Sequence, residues 1–585
     1  MHIETVIDFK ELGKRYRFKN PTKELIADTL EQVLEVIKEV DYYQSQNYYV
    51  VGYLSYEASA AFDSHFKVSQ QKLAGEHLAY FTVHKDCENE AFPLSYENVR
   101  LADNWTANVS EQEYQEAIAN IKGQIRQGNT YQVNYTLELS QQLCSDPFSV
   151  YERLMVEQGA GYNAYIAYDD KRILSVSPEL FFKKKDEVLT TRPMKGTSAR
   201  KPTYQEDVAE RDWLANDPKN RSENMMIVDL LRNDMGRICD VGTVKVKKLC
   251  QVEQYATVWQ MTSTIEGVLS PEVTLMSIFQ ALYPCGSITG APKISTMAII
   301  NELEKRPRGI YCGTIGLCMP DGQAIFNVPI RTVQMKGQQA YYGVGGGITW
   351  ESQTDSEYEE TRQKSAVLTR VNPKFQLITT GRVTENKLLF SQQHVERLVE
   401  SASYFAYSFD KSKFERELKK YLHQLDEKDY RLKIMLDKTG KVTFEVKQLV
   451  NLSKKFLTAE VVVQDYPIKL SPFTYFKTSY RPHIIEGQNE KIFVSPEGLL
   501  LETSIGNIVL EKNGRFLTPD LSEGGLNGIY RRHLLKNQKV IEAPLTLKDL
   551  ESADAVYACN AVRGLYPLNL KYKELEIYPT LFIVL

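Results

Sequence analysis

SENMMIVDLLRND, residues 222–234, reads as an amphipathic helix that opens on a carboxylate, Glu223. A second helical string, EYEETRQK at 357–364, carries Glu357 and Glu360 three residues apart, with Lys364 one turn further along the same face. Carboxylates from two helices can share one hard cation, and magnesium takes one or two of them and leaves its other positions to water and substrate oxygens. Each glutamate taken alone is equally what a solvated helix surface carries.

Between and around these helices lie two glycine-rich strings, GSITGAPK (286–293) and GVGGGI (343–348), where backbone amides can approach an anion. Taken singly, such strings are most often ordinary turns. Arg331 ends the strand-like AIFNVPIRT and is suited to clamp a carboxylate, or to stand exposed at a strand end. Upstream, Tyr114, Ile118, Ile121 and Ile125 recur at helical spacing, and the β-branched run YQVNYTLEL follows as a strand. Residues 1 to 110 mix short β-rich runs such as YYVVGYLSYE (48–57) with a helix expected near 23–40. A last helix over 356–370 runs into Pro373, which sets a boundary near 371–375. The pattern then restarts with strand-like FQLIT, helices over 392–406 and 411–425, and strands at RLKIML and VTFEV.

At 585 residues the chain exceeds a single hydrophobic core, and its 43% hydrophobic and 25% charged residues belong to a globular protein. A net charge of -4 gives no general attraction to nucleic acid, so an anionic substrate must be held by local Lys and Arg. The eight cysteines follow no disulfide or metal spacing, no stretch is long enough to span a membrane, and MHIETVIDFK is not a signal peptide. These features lead us to expect a cytoplasmic protein that binds neither nucleic acid nor membrane.

The order of SPEL (177–180), PMKGT (193–197), SENMMIVDLLRND, GSITGAPK, YCGTIG (311–316), FNVPIRT (326–332), GGGI (345–348) and EYEET (357–361) resembles the chorismate-binding family. That family includes anthranilate, aminodeoxychorismate, isochorismate and salicylate synthases. The resemblance implies magnesium held by Glu223 and Glu360 directly and by Glu357 through water. It implies substrate binding by Ser287, Tyr311, Arg331, Lys364 and the amides near Gly346 and Gly347, with Glu179 as the acid for the departing C4 hydroxyl. Lys195 stands where anthranilate synthases have Ala, and in aminodeoxychorismate synthases that lysine adds to the chorismate ring at C2 before ammonia enters at C4. Gln132 replaces the water-activating lysine of isochorismate and salicylate synthases, which leaves amination at C4. Gln260 departs from the family pattern, which has His there. No glutaminase is recognised in the chain, so the resemblance implies ammonia from a separate glutamine amidotransferase subunit.

Lys477 in YFKTSYRPHI lies on an expected extended run, and a lone lysine there is ordinarily a surface residue. With QHVERL (393–398), EGLLLETSIGNIVL (497–510), FLTPDLSEGGLNGIYRR (516–532) and ADAVYACNAVRGLYPL (553–568), however, it resembles the fold-type IV pyridoxal-phosphate enzymes. The resemblance makes Lys477 the lysine that bonds the cofactor, Glu502 the partner of the pyridine nitrogen and Arg397 the phosphate ligand, with Asn507, Gly528 and Ile529 shaping the pocket. Ala561 departs from the Asn-Ser of many relatives.

The expected fold is α+β with two domains. Residues 1–370 form a chorismate-binding, anthranilate synthase component I-like β-sandwich with surrounding helices, split at 110, and residues 375–585 form a fold-type IV, class IV aminotransferase-like domain able to pair two chains. The expected activity turns chorismate and ammonia into 4-amino-4-deoxychorismate and then eliminates pyruvate to leave 4-aminobenzoate for folate biosynthesis. The alternatives are an anthranilate-forming enzyme with an accessory transaminase, or a chorismate-binding protein without turnover.

Overall fold

The computed structural model describes residues 3–71, 76–97, 99, 101, 104–370, 372–449, 457–465, 467–485, 487, 489–571 and 576–578. The chain forms two compact units: Met1–Ala199 with Arg211–Arg370, and Arg200–Glu210 with Val371–Leu585.

In the first unit, strand Tyr49–Leu54 shows the rule that builds the rest. Val50 and Leu54 pack with helices Leu30–Ser45 and Pro218–Gly236, whereas Val51 and Tyr53 pack with Ile7 and Ile166 of another sheet. Successive side chains of a strand point to opposite faces, and both faces here are covered, so the run reads as continuously apolar. Two antiparallel ten-stranded sheets result. One runs Gly290–Ala291, Gln132–Gln142, Gln339–Ile348, Thr332–Lys336, Lys171–Ser177, Tyr162–Tyr168, Glu4–Phe9, Arg15–Lys19, Glu88–Glu90, with Thr106–Ala107 beside Gln132–Gln142. The other runs Met194–Ala199, Val258–Val268, Val188–Arg192, Leu180–Lys185, Ala324–Asn327, Thr314–Cys318, Tyr49–Leu54, Ala79–His84, Lys23–Ala27, with Lys245–Gln254 beside Val258–Val268.

Ile7, Phe9, Tyr162 and Ile166 from the first sheet meet Val51, Tyr53, Ile315 and Leu317 from the second to form the sandwich interior. Helices Glu111–Arg126, Pro147–Gln158 and Lys293–Glu304 cover the outer face of the first sheet, and Leu30–Ser45, Pro218–Gly236 and Leu275–Leu282 that of the second. The helix expected near 23–40 is displaced. Lys23–Ala27 is a strand paired with Ala79–His84, and the helix starts at Leu30, where Thr29 and Gln32 form a capping box.

The second unit holds two sheets. An antiparallel one, Lys387–Leu388, Leu377–Thr384, Tyr430–Leu436, Val442–Gln448, packs Leu377, Leu432 and Ile434 against helices Ser391–Phe405 and Lys411–Leu422. A mixed nine-stranded one runs from Leu500–Thr503 through Glu490–Val494, Leu457–Gln464, Gly564–Leu570, Ala555–Asn560, Asn507–Lys512 and Arg515–Pro519 to Ile541–Ala543, with Glu576–Tyr578 beside Leu457–Gln464. Arg200 ties its segment into this unit: it donates to the Tyr404 carbonyl at 2.8 Å, and the Tyr404 hydroxyl donates to the Lys201 carbonyl at 2.8 Å. Among the described residues no helix is long and apolar enough to cross a membrane.

Gly52 and Gly316 are register partners on adjacent strands, and a Cβ on Gly316 would lie 2.2 Å from a ring carbon of Phe326. Gly316→Ala should therefore destabilise the first unit by about 1–3 kcal/mol, the usual range for overpacking. All four tryptophans, Trp105, Trp213, Trp259 and Trp350, belong to that unit, so fluorescence-detected urea unfolding should show a lower midpoint. An unchanged midpoint would mean that the sheet yields locally.

Candidate active sites

Strand Met194–Ala199 carries Lys195 on a β-bulge, and Lys195 and Gly196 together oppose Met261 alone. Gly196 has φ +91, the left-handed region that favours glycine. A Cβ added to Gly347 would sit 2.9 Å from Lys195 Nζ and 2.1 Å from Gln132 Nε2, so the bare backbone of strand Gln339–Ile348 is what leaves room for both. On Gly346 a Cβ would meet Glu357 Oε2 at 3.3 Å and Lys364 Nζ at 3.8 Å, and Lys364 Nζ donates to the Gly345 carbonyl at 2.9 Å.

Glu223 from helix Pro218–Gly236 and Glu357 and Glu360 from helix Thr354–Ser365 complete the ring. Burial lowers the Lys195 pKa, Lys364 adds to the effect, and Glu223, Glu179 and Glu360 oppose it. Glu223 and Glu357 are pushed up, first by burial and then by neighbouring carboxylates. Glu360 goes the other way because Lys364 lies 2.7 Å from it. Among the described residues no three acidic, His or Cys side chains close on one point as metal ligands. The donor set nevertheless fits a hard divalent ion: carboxylate oxygens from two helices, two of them pushed up by burial in spite of Lys195, Lys219 and Lys364 nearby.

Glu179 is 2% exposed, and burial pushes its pKa up to about 7 against a hydrogen bond from Ser287 and the charge of Lys195. One of its oxygens, Oε1, has no hydrogen-bond partner. The Tyr311 ring lies under Gly343, whose added Cβ would touch it at 2.2 Å. Arg331 takes φ +52, a conformation a non-glycine residue holds only where its surroundings enforce it. Its charge acts on Tyr342 and on Tyr255, which also feels Glu179. Gln132, read from the sequence only as a replaced lysine, proves to be a wall of the site, buried and with both amide atoms unpaired.

In the second unit Lys477 is not on an extended strand. It follows the short helical turn Pro472–Tyr475, and its carbonyl accepts from the Ile378 amide at 2.8 Å. Burial, with Arg397 and Arg481, lowers its pKa to about 7 against the pull of Glu502. Glu502 accepts from Arg481 at 2.8 Å and from the Leu526 amide at 3.4 Å, with His483 Nε2 3.5 Å away. Burial alone would raise its pKa, but Arg481 and His483 outweigh it and the carboxylate is held below its ordinary value.

Arg397 donates to the Asn527 carbonyl at 2.8 Å, and Asn507 to the Leu526 carbonyl at 2.6 Å. A Cβ on Gly528 would lie 2.0 Å from Asn507 Oδ1, so this loop enters helix Ile529–Lys536 tightly against Asn507. Burial, then Arg532, lowers the Arg397 pKa to about 9. Lys477, Arg397, Arg481 and Arg532 thus leave the pocket with excess positive charge beside a helix N-terminus, which suits a phosphate, while Glu502 suits a protonated ring nitrogen. Arg481, His483 and Arg532 were not anticipated from the sequence; the cues were their places in YFKTSYRPHI beside Lys477 and in the Arg531-Arg532 pair after Gly528. Asn560 Oδ1 accepts from the Val562 and Arg563 amides, so its side chain braces the turn through Ala561 that joins paired strands Ala555–Asn560 and Gly564–Leu570.

Residues 4–370 match the family described as chorismate binding enzyme. The chain belongs to that family. Residues 376–570 of this chorismate-binding enzyme match amino-transferase class IV and carry that fold. It is 37% identical over 269 residues to aminodeoxychorismate synthase component 1 of Bacillus subtilis, covering 46% of this chain and 57% of that protein. It is 35% identical over 286 residues to anthranilate synthase component 1 of Lactococcus lactis, covering 49% of this chain and 61% of that protein. The matched segment thus spans less than two thirds of either relative. The crystal structure of anthranilate synthase component I from Streptococcus pneumoniae superposes with a TM-score of 0.53 at 26% identity, over 60% of this chain and 91% of that one.

Because the folded pKa of Glu179 lies above its unfolded value of 4.5, its contribution to stability is full below pH 4.5 and is lost as pH rises through about 7. Glu179→Gln has no such group, so its stability relative to wild type should improve by roughly 2–3 kcal/mol between pH 5 and pH 8. Urea unfolding of both proteins at the two pH values measures this, and a constant difference would show that Glu179 titrates normally.

Proposed function

We propose that the first unit converts chorismate and ammonia to 4-amino-4-deoxychorismate and that the second eliminates pyruvate from it to give 4-aminobenzoate. The observation that carries this reading is the half-buried Lys195 with its amine beside Gly347, in a chorismate-binding enzyme whose relatives include aminodeoxychorismate synthase component 1. Anthranilate formation has support in the Lactococcus lactis relative, but it has no use for this lysine.

In this scheme Lys195, whose pKa burial lowers, bonds to ring C2 in its uncharged form as the C4–O bond breaks, and Glu179 gives its proton to the hydroxyl leaving as water. Ammonia then bonds to C4, the Lys195–C2 bond breaks and its electron pair returns to the amine, while Glu179 recovers a proton from the new ammonium. Arg331 and the amides near Gly346 and Gly347 hold the carboxylates of the substrate. Magnesium, held by Glu223, Glu360 and, through water, Glu357, would supply positive charge for the ring carboxylate.

Pyridoxal phosphate, when bound, supplies an electron sink for the second reaction. Lys477 would bond it and move the proton at the adjacent carbon, Arg397 and Arg532 would hold its phosphate, and Glu502 would keep its ring nitrogen protonated. A separate glutamine amidotransferase would deliver the ammonia, as the words component 1 in the names of relatives suggest. The eight unbridged cysteines accord with a cytoplasmic location.

Lys195→Ala should lose aminodeoxychorismate formation from chorismate, ammonium and magnesium by 10²-fold or more, as expected for a removed nucleophile. Chromatography of the products tests this, and undiminished formation would remove Lys195 from the chemistry. Lys477→Ala should instead accumulate aminodeoxychorismate and release little 4-aminobenzoate or pyruvate, with release restored by an added lyase. Wild-type release from Lys477→Ala would make the second unit something other than the lyase.

A further inference from the structure

The bulge that bears Lys195 is held by side chains on both flanks. In the pairing of Met194–Ala199 with Val258–Val268, Met194 faces Thr262 and Thr197 faces Gln260, while Gly196 has no register partner. Gln260 Nε2 donates to the Gly196 carbonyl at 2.9 Å, and Thr197 Oγ1 donates to Gln260 Oε1 at 2.9 Å. From the other side Asn224 Nδ2 donates to the Lys195 carbonyl at 3.3 Å, and Asn224 Oδ1 accepts from Ser263 Oγ. Asn224 is buried and follows Glu223 on its helix, so one helix positions a carboxylate of the ring and the backbone of the lysine.

We infer that Gln260 is a positioning residue for Lys195: its carboxamide closes the bulge across Gly196 and Thr197 and so aims the amine past Gly347. Each polar end of Gln260 makes one bond of this bridge. A carboxamide matches the task because a carbonyl needs a donor and a hydroxyl needs an acceptor, and Gln offers one of each at the end of one chain. Glutamate would set an oxygen against the Gly196 carbonyl, and methionine would fill the space without either bond. A bulge with an unpaired residue has few backbone bonds to hold it, so its direction rests on such side-chain bridges.

The inference rests on Lys195 acting as proposed above, and the experiment separates the two. Full-length Gln260→Met, assayed with chorismate, ammonium and magnesium, should lose roughly 10- to 100-fold in kcat, as for a misplaced reacting group. Its KM for chorismate should change by less than about twofold, the pattern of an interaction expressed in the transition state. The acid limb of its kcat profile should move to higher pH, because an amine released from the bulge is better solvated and holds its proton more tightly. Gln260→Glu, which keeps the length and the acceptor, should show a smaller loss in kcat and serves if Gln260→Met does not fold. Thr197→Val should lose activity in the same direction, and the double variant with Gln260→Met should lose less than the sum of the two. A raised KM with unchanged kcat would make Gln260 a substrate contact and overturn the inference, as would wild-type kcat in both Gln260 variants or full additivity with Thr197→Val. If Lys195→Ala itself forms aminodeoxychorismate at the wild-type rate, the role of Lys195 falls first; if Lys195→Ala is inactive while both Gln260 variants keep kcat, only the positioning role falls.

Discussion

Everything at the first site depends on a crowd of ionisable groups partly withdrawn from water around Lys195. Burial penalises the charged form of each, so Glu179, Glu223 and Glu357 are pushed towards neutrality from one side and Lys195 from the other. Glu360 alone is held firmly ionised, by Lys364. Desolvation that would be a defect in a core therefore moves an amine down and an acid up from their ordinary pKa values, the directions that the proposed reaction uses. The fold provides the enclosure: two helices bring the carboxylates, and the glycines of strand Gln339–Ile348 keep a backbone where side chains would fill the space.

The second site balances its charge differently. Glu502 is kept anionic by direct partners, Arg481 and the Leu526 amide, so its state does not depend on what else is present. The cations opposite have no comparable compensation, and Arg397 is driven down to about 9. A pocket that resists its own positive charge is completed by an anion, and one carrying two negative charges would relieve it most.

Local pattern carried much of this. Glu357, Glu360 and Lys364 could be placed on one helical face because a helix repeats every 3.6 residues, and the helix Glu111–Arg126 begins at Ser110 in a capping box with Glu113, within the span its apolar spacing marked. Strand Gln132–Gln142 likewise follows its β-branched run. What stayed hidden depends on distant contacts. Lys23–Ala27 has no strong alternation, and only pairing with Ala79–His84 makes it a strand. Nothing near Lys195 announces that its strand gains a residue there, since a bulge is defined by the partner strand. Gln132 and Lys195 come together through a glycine more than a hundred residues beyond either. Arg481 and His483 reach Glu502 only because separate loops converge on it.

The excursion of Arg200–Glu210 into the second unit means that the polypeptide crosses between the units at 199–200, at 210–211 and at 370–371. Two enzymes joined end to end would share a single crossing and could be parted by cutting one linker. Here a scission near residue 370 severs only one of three covalent links, and a fragment starting after it lacks the Arg200 and Lys201 partners of Tyr404. Splitting the chain there would therefore leave the Tyr404 carbonyl and hydroxyl without those two bonds, although its ring would keep Phe405 and Phe476.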